Sequence, residues 1–373
     1  MTTATANDTL IDPHAKLRRA FAEARRPPAR RHRDIAELLG VSEGELIAAH
    51  ATAFDPEESP LLARRLKPSW PAIVEALEEL GDVTALTRNA ACVHEKVGTY
   101  RNASVDPASG TVGLVLGGAI DLRVFYSAWA HGFAVQERTE KGPQRSLQFF
   151  DAQGTAIHKV FLREETSDLA AYEALVARFA DPAPAEPGIV VLPAPAPKAE
   201  TPDGEVDVAA FQAAWAALRD THEFFGLLRR HGVTRTQALR LASPQFVQQV
   251  EPSAAQDVLQ HASQSGTPIM VFVGNPGMIQ IHGGPVKKVA VMGPWLNVLD
   301  PGFNLHLRED QIASAWLVRK PTTDGLVSSL ELFDAEGRTI AMFFGERKPG
   351  QAERCEWREI LAGVAAEPAW CAP

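Results

Sequence analysis

One histidine stands out through its neighbours. Val208, Phe211, Trp215, Leu218, His222 and Phe225 follow one another at steps of three or four residues, the spacing of one face of an α-helix. An imidazole within an apolar stripe is costly unless its ring nitrogens find partners. Spacing alone therefore leaves two readings open, a hydrogen-bonded core residue or a ligand that faces a cavity. His231, nine positions on, does not pair with it: on a continuous helix it points away from His222, and Gly232 is a helix stop.

The elements that must position this histidine belong to a chain of 373 residues, longer than one core usually supports, so two domains are expected. Hydrophobic residues at 45% and charged residues at 22% are ordinary for a globular protein. The net charge of −9 argues against a general nucleic-acid binder, which needs a basic footprint. Three cysteines, Cys92, Cys355 and Cys371, form no CxxC pair, so neither a disulfide scaffold nor a thiolate metal site is indicated and a reducing cytoplasm fits. The first residues lack the basic start and apolar core of a secretory signal, and runs such as Thr111 to Ile120 fall far short of the ~20 residues that span a bilayer. Neither export nor membrane insertion is expected.

Along the chain, residues 1–12 show no periodicity, Leu17 to Ala24 reads as a helix, and the basic run Arg25 to Arg33 reads as a solvated loop. Asp34 to Leu46 reads as helix, Gly stop and a second helix capped by Ser42 with Glu45 at the capping-box position. This resembles a DNA-binding helix-turn-helix, but its second helix is acidic and offers no cation to bases or phosphates. From Val83 to Phe161 strand-like segments alternate with turns such as Asp106 to Gly110, which predicts an antiparallel meander closed by a helix from Leu169 to Phe179. Prolines at 182, 184, 187, 193, 195, 197 and 202 mark a linker.

Beyond the linker the first half recurs. Ser146-Leu-Gln-Phe-Phe-Asp-Ala-Gln-Gly-Thr-Ala-Ile157 aligns without a gap on Ser329-Leu-Glu-Leu-Phe-Asp-Ala-Glu-Gly-Arg-Thr-Ile340, and Leu38 to Ser42 is echoed more loosely by Leu227 to Thr234. The expected fold class is α+β: two tandem, structurally similar repeats, each an antiparallel sheet with helices, with a cleft between or beside the halves. The expected boundaries are 1–180 for the first repeat, 181–204 for the linker and 205–373 for the second.

Over nearly its whole length the chain resembles the cytoplasmic HemS/ChuS-type haem-utilisation proteins, also called haemin-degrading factors. The likeness rests on Val93 to Tyr100, Asp121 to Phe125 and Ser146 to Phe150 in the first half. In the second half it rests on His222 to Leu228, Ile269 to Asn275, Trp295 to Val298, Leu305 to Leu307, Ala315 to Pro321, Asp324-Gly325 and Ser329 to Phe333. The resemblance implies haem (iron protoporphyrin IX) in a cleft, with His222 as the iron ligand. Neutral imidazole suits iron, an apolar surround suits the porphyrin, and the second ring nitrogen should donate to a carbonyl or carboxylate. Arg123 matches the family's arginine on the opposite side of the haem, where a permanently charged guanidinium can donate to a small iron ligand, which makes it the catalytic candidate. In the duplicated alignment its counterpart is His306. Arg235, Lys320 and Arg347 match positions that contact the haem propionates, and Phe272 matches an aromatic that packs near the ring. The family often has Tyr before Gly where this chain has Phe344-Gly345, so a hydroxyl that could bond to haem or a propionate is missing near Arg347.

The function expected from the resemblance is a haem-binding protein of haem uptake and iron acquisition, for trafficking and/or oxidative degradation with iron release. The alternative is a dedicated haem oxygenase-like ring-opening enzyme with an external electron donor, since no Gly-rich dinucleotide fingerprint follows a strand. Expected partners are haem, a haem importer or a downstream haem-degrading enzyme; nucleic acid and membrane are not expected. A regulator built on the more basic segment Val233 to Arg240 is the remaining reading, and it requires salt-dependent DNA binding through Arg235 and Arg240. A second haem on the first repeat would call on His50, His94 or His158.

Overall fold

The computed structural model describes residues 12–25, 31–51, 60–181, 188–196, 199–347 and 350–365. Residues 1–11, the centre of the basic run at 26–30, Pro182, Pro184, Pro187 and Pro197 of the linker, and Cys371 lie outside the described residues. The first half runs α1 (Pro13–Ala24), α2 (His32–Leu39), α3 (Glu43–Ala48), β1 (Leu61–Arg65), α4 (Trp70–Ala76), β2 (Gly81–Arg88), β3 (Cys92–Gly98), β4 (Ser104–Val105), β5 (Val112–Val115), β6 (Asp121–Phe125), β7 (His131–Thr139), β8 (Gly142–Phe150), β9 (Ala156–Ser167) and α5 (Leu169–Phe179). The second runs α6 (Val208–Ala216), α7 (Glu223–His231), α8 (Arg235–Leu241), β10 (Val247–Val250), α9 (Ala254–Ser265), β11 (Ile269–Asn275), β12 (Met278–Gly284), β13 (Val289–Met292), β14 (Trp295–Asp300), β15 (Phe303–Arg308), β16 (Ser314–Thr322), β17 (Gly325–Phe333), β18 (Thr339–Gly345) and α10 (Cys355–Val364).

The two halves repeat one order of elements: three helices, a strand, a helix, then a run of strands and a closing helix. The local chemistry repeats with it. Gly40 ends α2 and Gly232 ends α7, both left-handed at φ 68° and 66°. Each is followed by Val and then a hydroxyl N-cap, Ser42 in a full capping box with Glu45 and Thr234 accepting from the Gln237 N–H.

Packing divides the chain into two compact units. The first takes residues through Ala85, Gly98–Leu116 and Val124–Ala194; the second takes Leu86–Val97, Gly117–Arg123 and the chain from Pro195 onward. The boundaries at 180 and 205 follow the chain, whereas two short segments of the first half pack with the second. Strand pairing is the reason: β3 lies antiparallel to β15, and β6 lies next to β12.

In the first unit the strands follow the order β1-β7-β8-β9-β2, so β7 to β9 form the expected meander while β2 sits beyond β9. Phe21, Ile35, Leu46 and Ile47 of α1 to α3 bury against Leu61, Phe133, Val135 and Phe150. In the second unit β3-β15-β14-β13 form one run and β10-β16-β17-β18-β11-β12-β6 another. The latter run has two unlike faces, as the alternation of strand side chains requires. One carries Ile269, Val271, Leu317, Leu330, Leu332 and Phe343 into a core with α9 and α10, where Trp357 is fully buried. On the other face α6 to α8 cover Val247, Val318 and Phe333. Register puts Met342 and Phe344 of β18 beside Phe272 and Met270 of β11 on this second face, and all four stay half-buried. No helix among the described residues is long and apolar enough to cross a membrane.

Candidate functional site

The apolar stripe does not form one helix. α6 stops at Ala216 and α7 starts at Glu223, because polar side chains capture the backbone donors between them. The Glu223 carboxylate accepts from the N–H groups of Arg219 and Asp220, and the Asp220 carboxylate accepts from the His222 N–H at 2.8 Å. Phe211, Trp215 and Leu218 are buried as the spacing requires, but His222 and Phe225 are not: the His222 side chain is 87% exposed and Phe225 is 74% exposed. The core reading of His222 is thereby removed. Its ring is nevertheless held, since Nδ1 lies 2.7 Å from Asp220 Oδ1. With Nδ1–H donating to this carboxylate, Nε2 keeps its lone pair and is open to a ligand. The His222 backbone N–H holds the Asp220 carboxyl below its ordinary range, helped by the His222 side chain and by the charge of Arg347.

Directly after His222, α7 carries Phe224 into the core against Trp215, with ring centroids 4.7 Å apart. The same ring lies 4.5 Å from Lys320 Nζ and 5.2 Å from the Arg235 guanidinium carbon. Both cations converge on Glu331, a fully buried carboxylate. Arg235 binds it in bidentate fashion, Nε to Oε2 and Nη2 to Oε1 at 2.8 Å each, and Lys320 Nζ donates to Oε1 at 2.7 Å. Burial alone would raise the Glu331 pKa, but the charges of Arg235 and Lys320 outweigh it and hold the group ionised well below the usual carboxylate range. Burial lowers the pKa of Lys320, and Glu331 opposes that shift. Lys320 is 4% exposed and Arg235 26%.

The floor continues from this cluster. Lys320 Nζ lies 6.0 Å from the Phe344 ring, Phe344 packs on Phe272 at 5.0 Å, and Arg235 Nη2 lies 3.2 Å from Met342 Sδ. Phe344, the departure from the family pattern, is thus part of the aromatic surface that includes Phe272. Arg347 Nη1 lies 3.7 Å from Asp324 Oδ2 and, among the described residues, is buried without a hydrogen bond. The Thr323 N–H donates to Arg219 C=O at 3.0 Å, tying the β16–β17 turn to the loop that carries His222. Arg123 stands on the half-buried side of β6, between buried Leu122 and Val124, and pairs with Asp121 of its own strand.

Of the expected site residues, Arg235, Lys320 and Phe272 therefore form one cluster with Phe224 and Phe344, while His222 is held by Asp220 and Arg347 pairs with Asp324. Among the described residues, Arg123 makes its polar contacts within β6. His50, His94 and His158 are all buried: His50 bonds to Leu46 C=O, His94 to Gln280 and His158 to Tyr100. None presents an open imidazole to a second haem. Asp220, Phe224 and Glu331 were not foreseen. Among the described residues no group of three or more His, Cys, Asp and Glu side chains is placed to hold a bare metal ion.

Comparison with known proteins agrees over most of the chain. The family model described as the haemin-degrading HemS.ChuX domain matches residues 40–179 and again 232–364. The hemin transport protein HmuS of Yersinia pestis is 41% identical over 351 residues, 94% of this chain and 97% of that protein. The crystal structure of holo-PhuS, a heme-binding protein from Pseudomonas aeruginosa, superposes with a TM-score of 0.89 at 46% identity, covering 95% of this chain and all of that one. ChuS, an E. coli heme oxygenase, gives a TM-score of 0.81 at 38% identity over 94% of this chain and 99% of that one.

Proposed function

The chain belongs to the haemin-degrading HemS.ChuX family, and from that premise we propose that it binds haem with His222 as the iron ligand and works in cytoplasmic haem use for iron acquisition. One observation carries the proposal: an exposed imidazole whose Nδ1 is fixed by Asp220 and whose Nε2 meets no partner among the described residues. The surroundings fit the same group. Half-buried Phe272, Phe344, Met342 and Met270 suit a porphyrin face, and the partly exposed guanidinium of Arg347, held loosely by Asp324, suits a propionate. The two similar proteins named for binding or degrading haem lend the reading further support.

When bound, haem supplies the iron, its redox chemistry and, where it is consumed, the ring that is opened. The protein's share is ligation by His222, orientation of that ring by Asp220, and charge compensation of the propionates by Arg235 and Arg347. Arg123 is proposed for the side opposite His222, as a fixed cation with several donors. The Asp121 contact restrains it, and the exposed part of the guanidinium remains available.

Trafficking and breakdown share this site. A carrier passes haem to a downstream enzyme and receives it from an importer, whereas an enzyme draws electrons from a separate donor. Titration with hemin followed by a reductant in air tests both levels. A Soret band saturating at one haem per chain is expected. A stable reduced complex then marks a carrier, while loss of the band with iron release, persisting in the presence of catalase, marks the ring-opening enzyme. Absence of any stoichiometric Soret band would remove the haem reading.

A further inference from the structure

The two repeats diverge where their frames coincide most closely. β7 and β16, like β8 and β17, have equal lengths and are related by a constant step of 183 residues, so Lys320 corresponds to Glu137 and Glu331 to Gln148. The same step relates Met342 to Lys159. Arg235 opens α8 directly after a Gly-Val-Thr cap, and Glu43 opens α3 directly after a Gly-Val-Ser cap. At these four positions the first repeat thus carries Glu43, Glu137, Gln148 and Lys159. There Glu43 pairs with Lys159, and Glu137 with Arg25. The second repeat carries Arg, Lys, Glu and Met: two cations on one buried carboxylate, leaving one positive charge uncompensated.

The two cations are not equivalent. Lys320 is enclosed beneath the Phe224 ring and spends its charge on Glu331. Arg235 is partly open, and Glu331 binds its Nε and Nη2, while Nη1 takes no hydrogen bond among the described residues. A guanidinium gripped along one edge by a carboxylate presents its remaining N–H groups in a fixed direction.

We propose that Glu331 is a positioning residue that makes the second repeat a reader of a porphyrin carboxylate, by turning Arg235 so that Nη1 meets one propionate while Lys320 serves only inside the cluster. This deepens the haem reading and rests on it. It assigns Lys320 a supporting role rather than propionate contact. It also assigns selectivity for a porphyrin with a free carboxylate to the orientation of Arg235 rather than to the sum of charge.

The probes are hemin and hemin dimethyl ester, which lacks the carboxylate charges, titrated by absorption. Wild type is expected to favour hemin by ~10–100-fold, the range of one charge-assisted hydrogen bond. In Glu331→Gln that preference should fall to within about threefold of unity, with the Soret position of the bound ester unchanged. If charge sum governed recognition, the same variant would favour hemin more strongly, and such a rise, or an unchanged preference, overturns the proposal. Because Glu331→Gln leaves a buried lysine unpaired, the double variant Glu331→Gln/Lys320→Met is measured beside it. That variant restores the original charge sum without restoring the grip on Arg235, and retention of the wild-type preference there also overturns the proposal. Arg235→Lys, which keeps the charge but loses the fork, should match the loss. If wild type binds neither porphyrin, the haem reading itself has failed, which is a different result from equal binding of both.

Discussion

Asp220 offers the sharpest perturbation of the proposed ligand. Its carboxylate accepts from His222 twice, from the backbone N–H at 2.8 Å and from Nδ1 at 2.7 Å, so it sets both where the ring starts and which nitrogen carries the proton. Removing the partner of a metal-bound histidine typically costs 10–100-fold in affinity. The Asp220 side chain is 57% exposed, so solvent screens part of the interaction and the lower end, about 10-fold or ~1.4 kcal/mol, is expected for Asp220→Ala. Asp220→Asn keeps an acceptor without the charge and should lose about threefold. Both variants should raise the reduction potential of the bound haem, since a less electron-rich imidazole stabilises ferric iron less. The assay is competitive hemin binding followed by absorption, with a redox titration of the saturated complex. Unchanged affinity and unchanged potential in Asp220→Ala would refute the argument that this carboxylate orients the ligand.

Three further outcomes concern stability. Burial lowers the pKa of His32 to about 3, His50 to about 4 and His282 to about 3, so each is neutral in the folded state. A base whose folded pKa is depressed contributes stability above its unfolded pKa near 6.5 and loses it as pH falls, by roughly 2 kcal/mol each at pH 5. Thermal melts should show a clear drop in Tm between pH 7.5 and 5, and a flat profile would contradict neutral burial. Glu353 works in the opposite sense: burial raises its pKa to about 7, so its protonated form stabilises the fold at low pH and that benefit is lost as pH rises from about 4.5 through 7. Comparing Glu353→Gln with wild type from pH 5 to 8 should reveal a wild-type loss of ~2–3 kcal/mol that the variant lacks, and parallel curves would contradict it. Trp357 is fully buried on the α10 side and donates Nε1–H to Ser328 C=O at 3.0 Å, so Trp357→Ala should cost ~3–5 kcal/mol by denaturant unfolding; a cost below about 1 kcal/mol would show that the site collapses.

Much of the fold was legible because strands and turns speak locally. Asp151 to Gly154 and Asp334 to Gly337 mark the same turn in the two repeats, and the alternation of β16 and β17 separates the α9/α10 core from the half-buried floor. Pairing between distant strands was not legible: that 86–97 and 117–123 join the second unit depends on β3 meeting β15 and β6 meeting β12, for which neither segment carries a local signal. At the site, periodicity carried His222 into a helix face because Leu218 kept the apolar step. The competing signal, Asp220 and Glu223 flanking Thr221 and His222, was present as a helix start and proved stronger. Lys320 and Arg235 could be noticed as cations, but their shared carboxylate is 11 and 96 residues away in sequence and only the fold joins them. Gln148 at the equivalent place in the first repeat was the one sequence sign that position 331 had changed character.

The most direct test of the account is a hemin titration of wild type and His222→Ala, read by absorption and by resonance Raman of the iron–imidazole stretch in the reduced complex. The account predicts a saturable Soret band at one haem per chain in wild type, and in the variant weaker binding with loss of the iron–imidazole band. An unchanged spectrum and affinity in His222→Ala would place the ligand elsewhere and contradict the account at its centre.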